Sequence, residues 1–193
     1  MLDLDSQLFI ELNTCSFLHN DAFWRFFSSH YAWLIFVLPA TFFLFYKWKR
    51  KGFLPLFFIV LLFVVTDQGA NLFKHSVQRP RPCQVDTLLE QMNFLAPHCG
   101  AYGFFSGHAA NSMGLVLFCW LLFAPYLFMK KSSLILFFSF SVLVSISRIM
   151  VGVHYPGDIL VGWLYGIISA LILFWIYKKV LRYINSKYKI RNT

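Results

Sequence analysis

Apolar residues run along this chain in five blocks separated by short polar segments, at roughly 26–46, 52–73, 107–129, 132–149 and 159–177. Crossing a bilayer takes about 20 helical residues, so each block approaches the length of a transmembrane helix. The first and fourth have the most polar ends, with Arg25, Ser28 and Ser29 at one and Arg148 at the other. The stretch before Phe26 is too polar to span. Within it Leu4, Leu8 and Leu12 recur at helical spacing against Asp3, Asp5 and Glu11, the pattern of an amphipathic helix lying in the interface. Asn20 and Asp21, ahead of Ala22, Phe23 and Trp24, predict an N-cap leading into the first span. Gly162, Gly166 and Ala170, four apart, predict a close helix–helix seam in the fifth. The expected fold is an all-α integral membrane bundle of about five transmembrane helices plus an interfacial amphipathic helix. No repeat or linker divides the chain. Residues 1–193 read as one domain, with 1–25 as an interfacial segment and 178–193 as a basic cytoplasmic tail.

Composition agrees with a membrane protein. At 59% hydrophobic, with 24 Phe and 6 Trp in 193 residues, the chain is too apolar for a soluble domain of this size. A net charge of +9 would suggest nucleic acid in a soluble protein. Here its placement points elsewhere. Lys47, Lys49, Arg50 and Lys51 follow the first span, Lys130 and Lys131 the third, and Lys178, Lys179, Arg182, Lys187, Lys189 and Arg191 the fifth. Five spans put all of these on one side, which the positive-inside rule makes the cytoplasm. A nucleic-acid partner is excluded, because the remaining cations lie across the bilayer. The acidic N-terminus lacks a basic n-region, so no cleavable signal peptide is expected.

The other side should be poor in cations, yet Lys74, Arg79, Arg81 and Arg148 fall there, at the level of His108, His154 and Asp158. Charges at membrane depth are costly and usually functional. Three segments supply them: Lys74 to Pro82 at the exit of span two, Phe105 to His108 at the entry to span three, and Ser147 to Asp158 between spans four and five. Each suits phosphoryl transfer. Lys74, Arg81 and Arg148 can neutralise a phosphate dianion, and a guanidinium can grip two oxygens at once. Ser106 and Gly107 stand where a helix begins, so backbone N–H groups can face an anion. His154 can attack if Asp158 fixes its tautomer, and His108 can protonate the leaving oxygen and later activate water.

Taken together, the segments resemble the signature of the type 2 phosphatidic acid phosphatase (PAP2) superfamily: K-x6-R-P, then P-S-G-H, then S-R-x5-H-x3-D. Lys74, Arg81 and Pro82 match the first. Ser147, Arg148, His154 and Asp158 match the third in full. Ser106, Gly107 and His108 match the second, with Phe105 in place of its proline. The resemblance implies a metal-independent phosphatase without cofactors, with His154 as nucleophile, Asp158 as its partner and His108 as acid and base. It assigns phosphate binding to Lys74, Arg81, Ser106, Gly107 and Arg148. Membrane members of the family commonly have six core helices, one more than the spans read here. The short bacterial members act on undecaprenyl diphosphate, phosphatidylglycerol phosphate or lipid A phosphates. The implied partners are therefore a phosphorylated lipid and the bilayer of a bacterial inner membrane, with the site on the periplasmic face and the C-terminus in the cytoplasm.

Two rival functions use the same residues. In one, another lipid intercepts the phosphohistidine, making a phosphotransferase. In the other, the cationic pocket only binds an anionic lipid, as in a transporter or scaffold, which leaves His108 and the His154–Asp158 pair unexplained. Asp67, Asn71 and Lys74 share a helix face, where Asp67 either orients Lys74 or Arg81 or makes an interhelical contact. Cys83 and Cys99 read either as a disulfide on the oxidising side or as two free thiols. Cys119 reads as packing. His30, His75 and His98 are set aside as surface groups, and Arg79 reads as a solvated charge.

Overall fold

The computed structural model of the protein describes residues 3–15, 17, 20–127 and 130–191. The predicted end of the third span at Met129 and the last two residues of the basic tail lie outside the described residues, as do the side chains of Lys130, Lys189 and Arg191. Among those described, α-helices dominate. They are α1 (Leu4–Asn13), α2 (Asp21–Ser28), α3 (His30–Trp48), α4 (Phe53–Val77), the short α5 (Asp86–Leu89), α6 (Gly107–Phe123), α7 (Lys130–Met150) and α8 (Pro156–Arg191).

The five predicted spans are α3, α4, α6, α7 and α8. A 3-10 turn at Lys49–Gly52 joins α3 directly to α4, so the stretch from His30 to Val77 is helical almost throughout, its two apolar helices parted by a basic turn. That stretch folds back on itself, since Trp33 meets Phe63 at 6.4 Å and Phe45 meets Phe53 at 5.1 Å. It therefore crosses twice. Asn20 forms its predicted cap, accepting from Phe23 N at 3.1 Å, but the helix it caps is not the first span. Ser29, extended at φ −90° and ψ 165°, ends α2 and starts α3 afresh. The first span thus begins at His30, and α2 is a separate short helix lying on α7. Residues from Lys178 onward continue α8, whose 36 residues reach about 54 Å, longer than a bilayer core.

Helix α6 is the centre of the bundle. Its small residues Gly107, Ala109, Ala110, Ser112 and Gly114 are all buried and let neighbouring backbones approach. The predicted seam lies against it. A Cβ on Gly162 would sit 2.7 Å from Ser106 O, and one on Gly166 only 2.4 Å from Ala110 O. Buried polar side chains tie the other helices together: Ser112 to Ser141 at 2.9 Å, Trp163 Nε1 to Ser145 Oγ at 2.7 Å, and Thr66 to Asn111 at 2.5 Å. The outer faces are apolar, with Phe42, Phe57, Leu72 and Leu160 largely exposed, as lipid-facing helices require.

One end of the bundle gathers the basic rows. Trp48 stacks on Phe123, Lys47 lies 4.6 Å from the centre of the Tyr126 ring, and Lys179 lies 3.6 Å from that of Trp175. The other end carries the loop from Gln78 to Ser106, closed by a Cys83–Cys99 disulfide with Cα atoms 6.1 Å apart. Of the two readings of that cysteine pair, the bridge is the one observed. Cys119 is fully buried, as packing requires.

The α6–α8 seam yields a test. Gly166→Ala forces the two backbones apart and is expected to cost about 1–3 kcal/mol, the usual range for overpacking. A thermal melt in detergent reads this as a lowered midpoint; an unchanged midpoint would mean the helices are not in backbone contact there.

Candidate active site

His154 sits in the turn between α7 and α8 and is 2% exposed. Gly152, at φ +84°, makes that turn possible, and a side chain there would also strike Met92. Asp158, one helical turn on and fully buried, places Oδ2 at 3.2 Å from His154 Nδ1. The same oxygen accepts from Tyr155 N at 3.1 Å. Nδ1 is thus the nitrogen that carries the proton, and Nε2 is left with its lone pair. Burial pushes the imidazole down to about 4, against the opposing pull of Asp158, so the ring is neutral near pH 7.

The cations come from three elements. Lys74, in the last turn of α4, lies with Nζ 3.7 Å from where a Cβ on Gly107 would be, at the start of α6. Arg81 is pinned to the loop by Nε to Tyr102 O at 3.0 Å and Nη1 to Val153 O at 3.4 Å, beside His154. Arg148, near the end of α7, donates through Nη1 to Ser28 Oγ and to Ser28 O, which ties it to the end of α2. Its Nε is buried with no hydrogen-bond partner. Ser106 caps α6, with Oγ accepting from Ala109 N at 3.4 Å and its own N–H donating to Asp158 O at 3.1 Å. Ser106 therefore joins the second segment to the third, and the next N–H groups, on Gly107 and His108, begin the helix. His108 lines the same groove as Lys74 and Gly107.

A groove of about 580 Å³ opens beside this cluster. Lys74, Gly107 and His108 stand at one end, and it runs between α3 and α4 past Val37, Leu62 and Phe63 to Leu44, Leu56 and Cys119. Its walls are mostly apolar. Asp67 also lines it, with Oδ2 accepting from Asn71 and Gln68 side chains at 3.3 Å each. Asp67 therefore faces the groove, bonded within its own helix rather than across to another.

The fold occurs in known proteins. The PAP2 superfamily model matches residues 56–182, which carry every segment of the cluster. The chain belongs to the PAP2 superfamily. A lipid A 4'-phosphatase of Porphyromonas gingivalis is 32% identical over 180 residues, covering 92% of this chain and 74% of that protein. The crystal structure of Aquifex aeolicus LpxE superposes with a TM-score of 0.66 at 27% identity, covering 89% of this chain and 95% of the other. A transmembrane PAP2-type phosphatidylglycerolphosphate phosphatase from Bacillus subtilis shares the fold at a TM-score of 0.70 and 20% identity, over 91% of this chain and 85% of that one. This PAP2 chain is an all-α integral membrane protein.

Where the PAP2 motif expects proline, Phe105 is 1% exposed and packs among Phe73 and Tyr165 at 5.4 and 5.0 Å. It anchors the loop by burial instead of by ring rigidity. Two residues set aside on sequence belong to the site's surroundings. His30 lines the groove with Lys74 and His108. Arg79 is no solvated charge: Nη1 donates to Asp158 Oδ1 and Nη2 to Asp5 Oδ2, both at 2.8 Å, and its guanidinium lies 4.0 Å from the centre of the Tyr155 ring. The clue available beforehand was charge balance. A face crowded with cations needs anions, and all eight acidic residues, Asp5 among them, lie on that side or within span two.

The enclosure of His154 predicts how it titrates. Followed by NMR of the ring in detergent-solubilised protein, His154 should stay neutral as pH falls through 6.5 and gain its proton only near 4. Because that folded-state value lies below the free-histidine one, the group's contribution to stability is lost as pH falls from 6.5 toward 4. A midpoint at or above 6.5 would contradict the buried geometry.

Proposed function

We propose that this chain is a lipid phosphatase of the membrane that transfers phosphate from a lipid to water by way of His154. The observation that carries the reading is the imidazole held at Nδ1 by Asp158, beside a cationic cluster at the mouth of an apolar groove. The groove suits a substrate whose apolar part lies between helices while its phosphate reaches Lys74, Arg81 and Arg148. His154 Nε2 attacks phosphorus in line, and the bond from phosphorus to the lipid oxygen breaks. His108 gives that oxygen a proton, then takes one from water, whose oxygen attacks phosphorus and breaks the N–P bond to release phosphate. Fixed cations around the transferring group stabilise the charge it develops. Ser106 sets the start of α6, so that the Gly107 N–H can face the phosphate.

Among phosphorylated lipids, a lipid A phosphate is the first candidate, because two relatives similar along 92% of this chain are named lipid A 4'-phosphatases. Undecaprenyl diphosphate and phosphatidylglycerol phosphate are the others. The basic end of the bundle belongs in the cytoplasm by the positive-inside rule, which puts the site on the periplasmic face of the inner membrane. The exposed Leu4, Leu8 and Leu12 of α1 then lie toward the interface, while the neighbouring face of Ser6, Phe9 and Asn13 meets the protein.

Detergent-purified protein is expected to release free phosphate from one of these three lipids, without loss in EDTA. His154→Ala should lower the rate on the order of 10³-fold or more while the melting midpoint holds. Undiminished release by that variant would overturn the mechanism, and no release from any phospholipid by the wild type would favour a binding protein.

A further inference from the structure

Helix α1 grips the His154 turn at both ends. Where α7 finishes, Asn13 Nδ2 donates to Ile149 O at 3.0 Å and to Met150 O at 3.1 Å, while Asn13 Oδ1 accepts from Asn93 N at 2.7 Å. Where α8 starts, Asp5 Oδ1 accepts from Gly157 N at 2.8 Å. Between these points Phe9, fully buried, meets the Tyr155 ring edge-on at 5.7 Å. These contacts all lie on one face of α1, which leaves Leu4, Leu8 and Leu12 on an adjoining, exposed face.

The contact nearest the chemistry is the fork of Arg79. A guanidinium with two parallel donors tends to take both oxygens of one carboxylate. Here it does not. One donor goes to Asp158 Oδ1, the other to Asp5 Oδ2. Asp158 therefore keeps its second oxygen for His154 Nδ1. Without the Asp5 carboxylate, Arg79 is free to turn both donors onto Asp158 and compete with the imidazole for Oδ2.

We infer that Asp5 is a positioning residue for catalysis, and that α1 is a brace which divides Arg79 between two carboxylates so that Asp158 can orient His154. This rests on His154 as the attacking group, as proposed above. Asp5 touches neither His154 nor substrate in this arrangement. Its effect passes through Arg79 and Asp158, so it falls on turnover rather than on substrate binding.

The test is steady-state phosphate release by the full-length purified protein from the lipid that the wild type hydrolyses best. Asp5→Asn is expected to lower kcat about 10- to 100-fold, the scale of a small misplacement of a reacting group, with KM within about twofold. In an Arg79→Ala background the same change should add nothing, since no guanidinium remains to compete for Asp158. Arg79→Lys offers a second route that leaves Asp5 untouched. An ammonium cannot fork in a plane, so kcat should fall at constant KM there as well. Wild-type kcat in Asp5→Asn, or losses from Asp5→Asn and Arg79→Ala that multiply, would overturn the brace. If Asp5→Asn does not fold, wild-type kcat in Arg79→Lys overturns it instead. His154→Ala in the same assay separates the two ideas. Should it retain activity, the proposed mechanism fails; should it be dead while Asp5→Asn is unimpaired, only the brace fails.

Discussion

The buried carboxylate of Asp158 is the hinge of the whole arrangement. Removing such a group from water is costly unless its oxygens find donors, and Asp158 meets this by accepting from three donors. His154 Nδ1 and Tyr155 N share one oxygen, and Arg79 takes the other. Each of these bonds also places something. The first fixes the tautomer of the imidazole, the second closes the turn that carries it, and the third docks the loop after α4 onto α8. The carboxylate thus stabilises the site and sets its geometry through the same contacts.

Around it, close backbone packing does the positioning. Helix α6 is lined with small residues, so Gly162 and Gly166 of α8 bring their backbone against it. Ser106, the cap of α6, then donates to Asp158 O, and its helix start lies next to Lys74 on α4. Residues far apart in the chain meet because three helix ends are held at one depth. Bilayer length imposes that common depth on every span, so a site assembled from helix ends stays in register as long as the seam holds.

Much of this was legible in the sequence, for physical reasons. The five apolar blocks correspond to α3, α4, α6, α7 and α8, because a spanning segment must be apolar over a length the bilayer fixes. The glycine seam and the clustering of Lys74, Arg81, Arg148, His108 and His154 at one end followed from helical spacing and from the threading. What escaped depended on loops and on distant partners. Ser29 leaves the helix and separates α2 from the first span, although nothing in its apolar neighbourhood demands a break. Arg79 lies on an extended loop, where spacing does not say which way a side chain turns. Its partner Asp5 is 74 residues away in a segment read as an interfacial helix; the helix is there, but the side that carries Asp5, Phe9 and Asn13 is bound to the protein. Whether Cys83 and Cys99 bridged was likewise a matter of loop path, which spacing left open.

The proposed chemistry rests on one nitrogen, Nε2 of His154, being free and surrounded by cations. A structure of the protein with vanadate bound tests this most directly, because a trigonal vanadate mimics the transferring phosphoryl group. The account predicts vanadium attached to His154 Nε2, its oxygens contacted by Lys74, Arg81 and Arg148, with His108 facing the axial oxygen opposite. Vanadate bound away from His154, or attached to His108 instead, would contradict it.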